Sequence, residues 1–289
     1  MNGVLLIDKE AGWTSNDVVA KLKGILHERR IGHSGTLDPM ATGLLVVFVG
    51  RATRAVEFAE GHDKAYRAAL RLGVVTDTQD ITGTVLESRE VKVSEEQLCK
   101  VLESFMGEQL QLPPMYSAIK VNGRRLYDIA RGGGEVERKK RPITIHGISL
   151  AGRDGEDFLI DVSCSKGTYV RTICHDVGAA LGCGGCMSAL RRTRAGGFEV
   201  TQARRLSEVQ RYADEGRAEE LLIGVDELFG EYEKCSASPN AEKRIRCGNE
   251  YKTALPDGVY RVYSGAGEFL MLGRAESGMM KTIKSFFEV

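Results

Sequence analysis

The sequence predicts an α+β protein in which a mixed, mainly antiparallel sheet with flanking helices precedes a small β-rich C-terminal domain. Strand and helix patterns alternate through the first 233 residues, and several strand pairs have the spacing of hairpins, which a doubly wound parallel sheet would lack. From about residue 234 the pattern changes to short strands and glycine-rich turns. With 289 residues the chain is long enough for two cores. We therefore expect domains at residues 1–233 and 234–289.

In the first part of the chain, each expected element has a local signal. Residues 3–8 have the pattern of a strand, and Ser15 is the expected N-cap of the helix that follows. Residues 44–49 are uninterruptedly apolar, which indicates a buried strand. Apolar and polar side chains alternate in residues 64–73, so Tyr66 shares a face with the apolar set.

Further along, a capping box and two strand patterns precede a helix. Ser94, with Gln97 three residues later, is typical of a helix N-terminus. Residues 143–150 and 158–164 are expected to be neighbouring strands. Residues 168–181 carry apolar side chains at helical spacing, and Gly182 is expected to end this helix.

Charge is balanced over the whole chain but not along it. Forty basic residues match forty acidic ones, so the overall charge does not indicate a nucleic-acid partner. Between residues 118 and 142, however, eight basic residues outnumber three acidic ones, and between residues 206 and 233 nine acidic residues outnumber two basic ones. A polyanion would be attracted to the first segment, while ordinary solvated surface is the alternative explanation for both.

The cysteines and the apolar runs indicate a cytoplasmic location. Seven cysteines are an odd number, and no secretory signal pattern is present, so we expect reduced thiols. The longest purely apolar run, residues 44–49, is far shorter than the roughly 20 residues of a membrane-spanning helix, so no membrane partner is expected. Cys183 and Cys186 have the spacing of a metal or redox pair but lack a second pair at ligand spacing. We therefore expect no metal.

Residues 32–45, GHSGTLDPMATGLL, present a single carboxylate, Asp38. The proline after Asp38 favours extended backbone, and the interspersed glycines allow turns. An ordinary Asp-Pro turn is the alternative explanation for these residues taken alone. As a string, however, GHxGxLDPxAxGxL followed by GRATR at residues 50–54 resembles the active-site motif of the TruB-type tRNA pseudouridine synthases.

Other segments resemble motifs of that family, in the same order along the chain. Residues 5–15 resemble its KPxGxTS element, with Glu10 in place of the usual proline, which removes no catalytic group. The remaining matches are its KxY strand at residues 64–66, its substrate-binding insertion at residues 113–131, its second active-site strand and turn at residues 164–172 and its leucine-arginine element at residues 190–193. The resemblance therefore covers most of the chain.

The resemblance implies an isomerisation that needs no cofactor. Converting uridine to pseudouridine breaks the C1′–N1 bond, turns the base and joins C1′ to C5, with no oxidation or reduction. The protein must supply a nucleophile, a proton acceptor and a closed pocket. Asp38 is the implied nucleophile. It must be ionised in a dry pocket, and we expect Arg171 beside it to lower its pKa. A surface helix charge is the alternative for Arg171.

The resemblance also implies roles for other residues. Tyr66 stacks on the target uracil and accepts a proton through its hydroxyl, and Leu190 closes the apolar floor of the pocket. Ordinary core positions are the alternative for both. His33 fills the space left when the target nucleotide flips out of the stack. The remaining residues of the expected substrate-binding set are Lys9, Tyr169, Lys120 and Arg131.

The family implies a stand-alone, monomeric enzyme that acts on uridine 55 in the T loop of tRNA without a guide RNA. An insertion at about residues 110–141, flexible through its glycine run at residues 132–134, is expected to close over the T stem-loop. Residues 246–251 and the turn at Gly273 resemble, less specifically, PUA-type RNA-binding domains, and a structural β cap is the alternative explanation.

Three alternative functions remain open. A guide-RNA-dependent synthase would carry partner-binding extensions that are not seen. A tRNA-folding chaperone in which catalysis is secondary is the alternative from a different functional class, that of RNA-binding proteins. A glycoside hydrolase would need a second carboxylate about 5 to 10 Å from Asp38, and no motif supplies one.

Overall fold

The computed structural model describes residues 1–117, 119–121, 123–134 and 136–287, apart from the side chains of Lys120, Arg125 and Arg131. The strands are, in chain order, β1 (Gly3–Lys9), β2 (Ile31–Ser34), β3 (Thr42–Val49), β4 (Lys64–Leu72), β5 (Val74–Thr76), β6 (Val85–Ser88), β7 (Gly107–Gln111), β8 (Lys120–Val121), β9 (Arg124–Arg125), β10 (Arg141–Asp154), β11 (Asp157–Cys164), β12 (Gly185–Ala195), β13 (Phe198–Glu199), β14 (Glu233–Ser236), β15 (Tyr251–Lys252), β16 (Gly258–Tyr263), β17 (Phe269–Glu276) and β18 (Met279–Ser285). The α-helices are α1 (Ser15–Leu26), α2 (Val56–Glu60), α3 (Glu95–Ser104), α4 (Leu126–Arg131), α5 (Val170–Ala180), α6 (Leu206–Asp214) and α7 (Pro239–Arg246).

Two sheets organise the chain. The first has nine strands in the order β1-β3-β12-β4-β11-β10-β7, with β2 added on β3 and β13 on β12. β3 and β12 run parallel, and the other described pairs of this sheet are antiparallel. The second sheet has five strands in the order β14-β16-β17-β18-β15. The predicted α+β class, with a mainly antiparallel sheet and a β-rich C-terminal part, is confirmed.

β3 is buried on both faces, which explains its uninterrupted apolar sequence. On one face Phe48 belongs to the same core cluster as Phe229 and Phe286. On the other face Val47 belongs to the cluster of Leu22, which lies on α1. The strand that leads out of the Asp38 loop is therefore fixed by two cores.

A third core cluster supports the middle of the large sheet. It joins Leu98 of α3 and Ile173 of α5 to Leu70 of β4 and Ile160 of β11. Tyr66 of β4 belongs to this cluster, as the alternation in its strand predicted.

Two helix starts differ from the predicted ones. Thr14, not Ser15, is the N-cap of α1, and its side chain accepts a hydrogen bond from the N–H of Asp17. The Ser15 hydroxyl instead exchanges hydrogen bonds with the backbone of Leu37 in the Asp38 loop. Helix α5 begins at Val170 rather than at residue 168, because its N-cap, Tyr169, has extended backbone. The predicted N-cap Ser94 of α3 is confirmed, with its capping box.

Aromatic side chains connect the two sheets. The Phe229 ring contacts Phe58 of α2, Phe269 of β17 and Phe286, with ring centroids 5.3, 6.1 and 5.8 Å apart. Arg261 of β16 donates from Nε to the carbonyl of Tyr232. The C-terminal sheet is therefore packed firmly on the first one. No helix in the described part of the chain has the length and apolar character needed to cross a membrane.

Replacing Phe229 with alanine tests this connection. Phe229 is 2% exposed, and truncating a buried phenylalanine lowers the free energy of unfolding by about 3–5 kcal/mol. Urea denaturation should show a loss of this size for Phe229→Ala. The control is Leu110→Ala on β7, where the side chain is 64% exposed and a change within about 0.5 kcal/mol is expected. Equal effects for the two variants would contradict the assignment.

Candidate active site

The Asp38 loop connects β2 to β3 and is held by its backbone. Gly35 and Gly43 have positive φ angles of 72° and 97°. A Cβ on Gly43 would lie 2.3 Å from the carbonyl oxygen of Arg192, so only glycine fits there. The N–H of Ala41 donates to the carbonyl of Asp38 at 3.0 Å, closing a turn. The loop thus presents the Asp38 side chain in a fixed place.

Asp38 opens into a cavity of about 810 Å³. Elements far apart in sequence form its walls: the Asp38 loop, β4, the loop between β5 and β6, the insertion, the start of α5, and β12. The lining includes Asp38, Lys64, Tyr66, Asp80, Tyr116, Tyr169, Arg171, Leu190 and Arg192. Its volume lies within the range of about 300–1,000 Å³ typical of small-molecule sites.

The structure brings Asp38 and Arg171 together, as the sequence predicted. Arg171 Nε lies 2.9 Å from Asp38 Oδ2, and Nη2 lies 3.4 Å from Oδ1. This two-point contact fixes the direction of the carboxylate. The Arg171 side chain is 6% exposed and that of Asp38 is 37% exposed, so Arg171 is not the surface charge of the alternative explanation.

Arg171 has a second carboxylate partner, Asp80, which sequence reasoning missed. Arg171 Nη1 lies 3.3 Å from Asp80 Oδ2 and donates at 3.1 Å to the carbonyl of Thr78. Nη2 donates at 2.9 Å to the carbonyl of Tyr116. The segment around Asp80, DTQDITG, has the composition of an ordinary turn and therefore carries little signal of a site.

Asp80 corrects the expectation that no second carboxylate lies near Asp38. It is 5% exposed, and its Oδ1 accepts from the hydroxyls of Thr78 and Thr82 and from the Thr82 N–H. Its other oxygen is turned to Arg171. These contacts hold Asp80 as an acceptor that orients Arg171, which is a different arrangement from the proton-donating carboxylic acid of a glycoside hydrolase.

The pKa of Asp38 is raised above its ordinary value of 3.8. Burial is the largest cause, and the negative charge of Asp80 acts in the same direction. Arg171 and Lys9 oppose the shift. The lowering effect expected of Arg171 is present, but burial outweighs it, so the pKa of Asp38 stays above its ordinary value.

Tyr66 and Leu190 lie on adjacent strands of the cavity wall. In the pairing of β12 with β4, Leu190 is opposite Ala68 and Arg192 is opposite Tyr66. Tyr66 is 9% exposed and Leu190 is 8% exposed. Burial raises the pKa of the Tyr66 hydroxyl. An aromatic face and an apolar floor therefore adjoin the Asp38 carboxylate.

Tyr169 lines the same cavity from the N-terminus of α5. Its backbone N–H donates to Gln111 Oε1 at 2.8 Å, and its carbonyl accepts from Gln111 Nε2 at 3.0 Å. Burial raises the pKa of its hydroxyl. This placement is compatible with the predicted substrate contact.

Lys9 does not lie where a substrate-binding residue would. It is 1% exposed, and its Nζ donates to the carbonyls of Glu10, Trp13 and Pro39 at 3.0, 2.6 and 3.3 Å. Burial lowers the pKa of its ammonium to about 8. The substrate-binding prediction is therefore corrected: Lys9 holds the Asp38 loop from beneath.

His33, Lys120 and Arg131 complete the predicted set. His33 lies on β2 opposite Val47, half-buried, and burial lowers the pKa of its imidazole. Among the described residues its buried Nδ1 has no hydrogen-bond partner. The side chains of Lys120 and Arg131 lie outside the described part of the chain.

Two further cations of the cavity wall were not singled out from the sequence. Lys64 is 8% exposed and donates to the carbonyl of His62 at 2.7 Å. Arg192 is 1% exposed and donates to the carbonyls of Leu44 and Gly35. The KxY and LRRT motifs contain both residues, but neither pattern reveals that the charge is buried.

Cys183 and Cys186 show no metal-ligand surroundings. Both are buried, and Cys186 lies on β12, where burial raises the pKa of its thiol to about 11. Within the described residues no three His, Cys, Asp or Glu side chains group as metal ligands.

Known protein families match most of the chain. Residues 23–170 match the TruB family pseudouridylate synthase N-terminal domain, and residues 171–229 match the tRNA pseudouridylate synthase B C-terminal domain. The tRNA pseudouridine synthase B of Syntrophotalea carbinolica is 45% identical over 249 residues, which cover 86% of this chain and 81% of the relative. That of Clostridium kluyveri is 39% identical over 292 residues, covering 99% of this chain and 100% of the relative.

A solved structure shares the fold. A chain of a Cbf5-Nop10-Gar1 complex superposes with a TM-score of 0.75 at 26% sequence identity, covering 99% of this chain and 85% of that chain.

Proposed function

The chain belongs to the TruB family of pseudouridylate synthases, and from this premise we propose that it isomerises uridine 55 in the T loop of tRNA to pseudouridine as a stand-alone enzyme. The observation that carries the proposal is the Asp38 carboxylate, held by Arg171 at the wall of a cavity that also contains Tyr66 and Leu190. Relatives named tRNA pseudouridine synthase B that match over their full length support tRNA as the substrate.

Asp38 is the nucleophile in this proposal. Attack at C1′, attack on the base and elimination to a glycal all begin with an ionised carboxylate next to the sugar and base. Arg171 directs that carboxylate by its two-point contact and stabilises its charge. The apolar surroundings exclude water from the detached uracil.

Tyr66 and Leu190 contact the target base in this proposal. The Tyr66 ring offers a face for stacking, and its hydroxyl takes part in proton transfer; Leu190 closes the floor. Tyr169 lines the entrance from α5. His33, half-buried on β2, takes the place of the flipped nucleotide in the RNA stack. No cofactor is required for these steps.

The RNA partner is the T stem-loop, without a guide RNA, and the enzyme acts as a monomer in the cytoplasm. The insertion at about residues 110–141 supplies positive charge beside the cavity, and Tyr116 within it contacts Arg171. Residues 234–289 form a PUA-like RNA-binding domain. A chaperone with secondary catalysis is less well supported, because the Asp38–Arg171 contact at the wall of a cavity serves chemistry rather than strand annealing.

Replacing Asp38 with asparagine tests the enzymatic function. Asp38→Asn should abolish pseudouridine formation in an unmodified tRNA transcript, because an amide cannot act as the nucleophile. Binding of tRNA should persist, because phosphate contacts supply most of the affinity. Wild-type protein without pseudouridine formation would refute the proposed function, whereas turnover of the variant within about tenfold of wild type would refute only the role of Asp38.

The pH dependence of the reaction tests the ionisation of Asp38. Only the carboxylate is active, so the single-turnover rate should fall with acidification through an apparent pKa above the ordinary 3.8, since the pKa is raised. Asp80→Asn removes a negative charge that raises this pKa, so the acid limb should move to lower pH although the rate itself decreases. An acid limb that stays in place in Asp80→Asn would contradict the coupling.

The basic segment that leads into β10 is expected to contact phosphates. Lys139, Lys140 and Arg141 are exposed, whereas Arg138 donates to the carbonyl of Pro113 and is left intact. Replacing the three exposed residues with alanine should weaken tRNA binding. The salt dependence of binding should flatten by about 0.7 to 0.9 slope units for each phosphate that the variant no longer neutralises. Turnover at saturating tRNA should change less.

The matched control for this charge change removes Lys92, Lys100 and Arg217, which form surface ion pairs with neighbouring glutamates. Binding measured at several salt concentrations should then resemble the wild type. Parallel plots for the two triple variants would show that residues 139–141 are ordinary solvated surface.

A further inference from the structure

We propose that Arg192 is a positioning residue for the reaction, which stabilises negative charge on the Tyr66 oxygen while Tyr66 passes protons to and from the base. This inference rests on the proposed function and adds a residue to its machinery.

Within the described residues, the Arg192 guanidinium is a buried charge without a carboxylate partner. It is 1% exposed, and in the described part of the chain it forms no ion pair. Nε donates to the carbonyl of Leu44 at 2.7 Å and Nη2 to the carbonyl of Gly35 at 2.8 Å. Burying a cation is unfavourable unless nearby groups compensate it, and two carbonyls compensate only part of its charge. Because Arg192 lines the cavity, the uncompensated part of its charge acts on groups in that cavity.

Arg192 and Tyr66 are cross-strand partners. They lie opposite each other in the pairing of β12 with β4, and opposed residues of an antiparallel pair project from the same face of the sheet. Both line the cavity that contains Asp38. The planar fork of Arg192 is held by the carbonyl of Gly35 in the Asp38 loop and by that of Leu44 on β3, so its position relative to Tyr66 is fixed.

The charges around Tyr66 leave Arg192 as the group that favours a phenolate. Burial raises the pKa of Tyr66, and the thiol of Cys164 on β11 and the carboxylate of Asp38 act in the same direction. Arg192 on β12 opposes them. Lys64 lies on the same strand as Tyr66, but its ammonium donates hydrogen bonds to the backbone carbonyls of Glu60 and His62.

When Tyr66 carries both protons, it is a phenolate for part of the cycle. Over the whole reaction N1 of the base gains a proton and C5 loses one. In the proposed step the Tyr66 O–H bond breaks and its proton goes to N1 of the detached uracil anion. After the C1′–C5 bond has formed, the phenolate oxygen takes the proton from C5 and the O–H bond is restored. Between these transfers the negative charge lies on the Tyr66 oxygen beside Arg192, where a dry site makes a fixed countercharge effective.

Arg192 also braces the Asp38 loop, so the test must separate charge from bracing. Arg192→Gln keeps hydrogen-bond donors but removes the charge, and Arg192→Lys keeps the charge but loses the fork. Removing one fixed electrostatic group from an active site typically costs about 100-fold in rate or more, and we expect this loss in single-turnover isomerisation by Arg192→Gln. Arg192→Lys should be impaired less than Arg192→Gln. The matched control is Arg191→Gln, because Arg191 pairs with Asp8 outside the cavity; it should react like the wild type.

A more acidic tyrosine distinguishes the two roles, because it should restore the reaction rate only if Arg192 acts through its charge and not if Arg192 only supports the loop. Placing 3,5-difluorotyrosine at position 66 of Arg192→Gln should restore the rate by about tenfold or more, because roughly one unit of pKa corresponds to a tenfold change. Circular dichroism and tRNA affinity confirm that the variants are folded. No rescue, or an Arg192→Lys variant as slow as Arg192→Gln, would overturn the proposal and leave Arg192 as a loop brace.

Tyr66→Phe separates this inference from the proposed function. If Tyr66→Phe reacts normally, the proton-transfer role of Tyr66 fails and the inference fails with it, while pseudouridine formation by the wild type still stands. If Tyr66→Phe is inactive and Arg192→Gln reacts normally, only the role of Arg192 is refuted. Should Arg192→Gln not fold, Arg192→Lys decides alone: a loss beyond about 100-fold with the charge retained would overturn the proposal.

Discussion

The Arg171 guanidinium is the group on which the site depends, because it joins three segments that are distant in sequence. It contacts the carboxylates of Asp38 and Asp80 and the carbonyls of Thr78 and Tyr116. A buried cation is strongly destabilising unless its N–H groups are hydrogen-bonded. The Asp38 loop, the loop between β5 and β6, and the insertion must therefore each place an acceptor at Arg171. The apolar face of α5 in turn fixes Arg171, which makes the core a support for the chemistry.

Two other buried cations hold the backbone of the Asp38 loop. A loop with positive φ at Gly35 cannot satisfy its carbonyls through regular structure. Lys9 donates to the carbonyl of Pro39 from one side, and Arg192 donates to the carbonyls of Gly35 and Leu44 from the other. Cationic donors form strong hydrogen bonds, and here they replace the ladder that a strand would have provided.

The predictable part of the molecule is the part that follows from local periodicity. The apolar run of β3, the alternation that buries Tyr66 and the capping box at Ser94 all predicted correct elements, and the Asp38 motif forms a loop that lines the cavity. Local signals fail where two residues fit equally well, as with the adjacent cap formers at residues 14 and 15. They also fail where long-range contacts decide: Asp80 has the sequence of a turn residue, so its effect on the pKa of Asp38 could not be anticipated.

The sequence predictions fail mostly at the site because charged side chains, which are usually exposed, are largely removed from solvent there. Core positions agree with pattern and propensity, whereas Asp38, Lys9 and Arg192 each oppose them. The consequence for Asp38 is chemical: desolvation raises its pKa, which means that its ionised form is less stabilised than in water. A carboxylate with less solvation to lose is a better nucleophile, provided that something keeps it ionised and aimed. Arg171 meets both conditions, so under the proposed function the charges that weaken the fold here are the source of the reactivity.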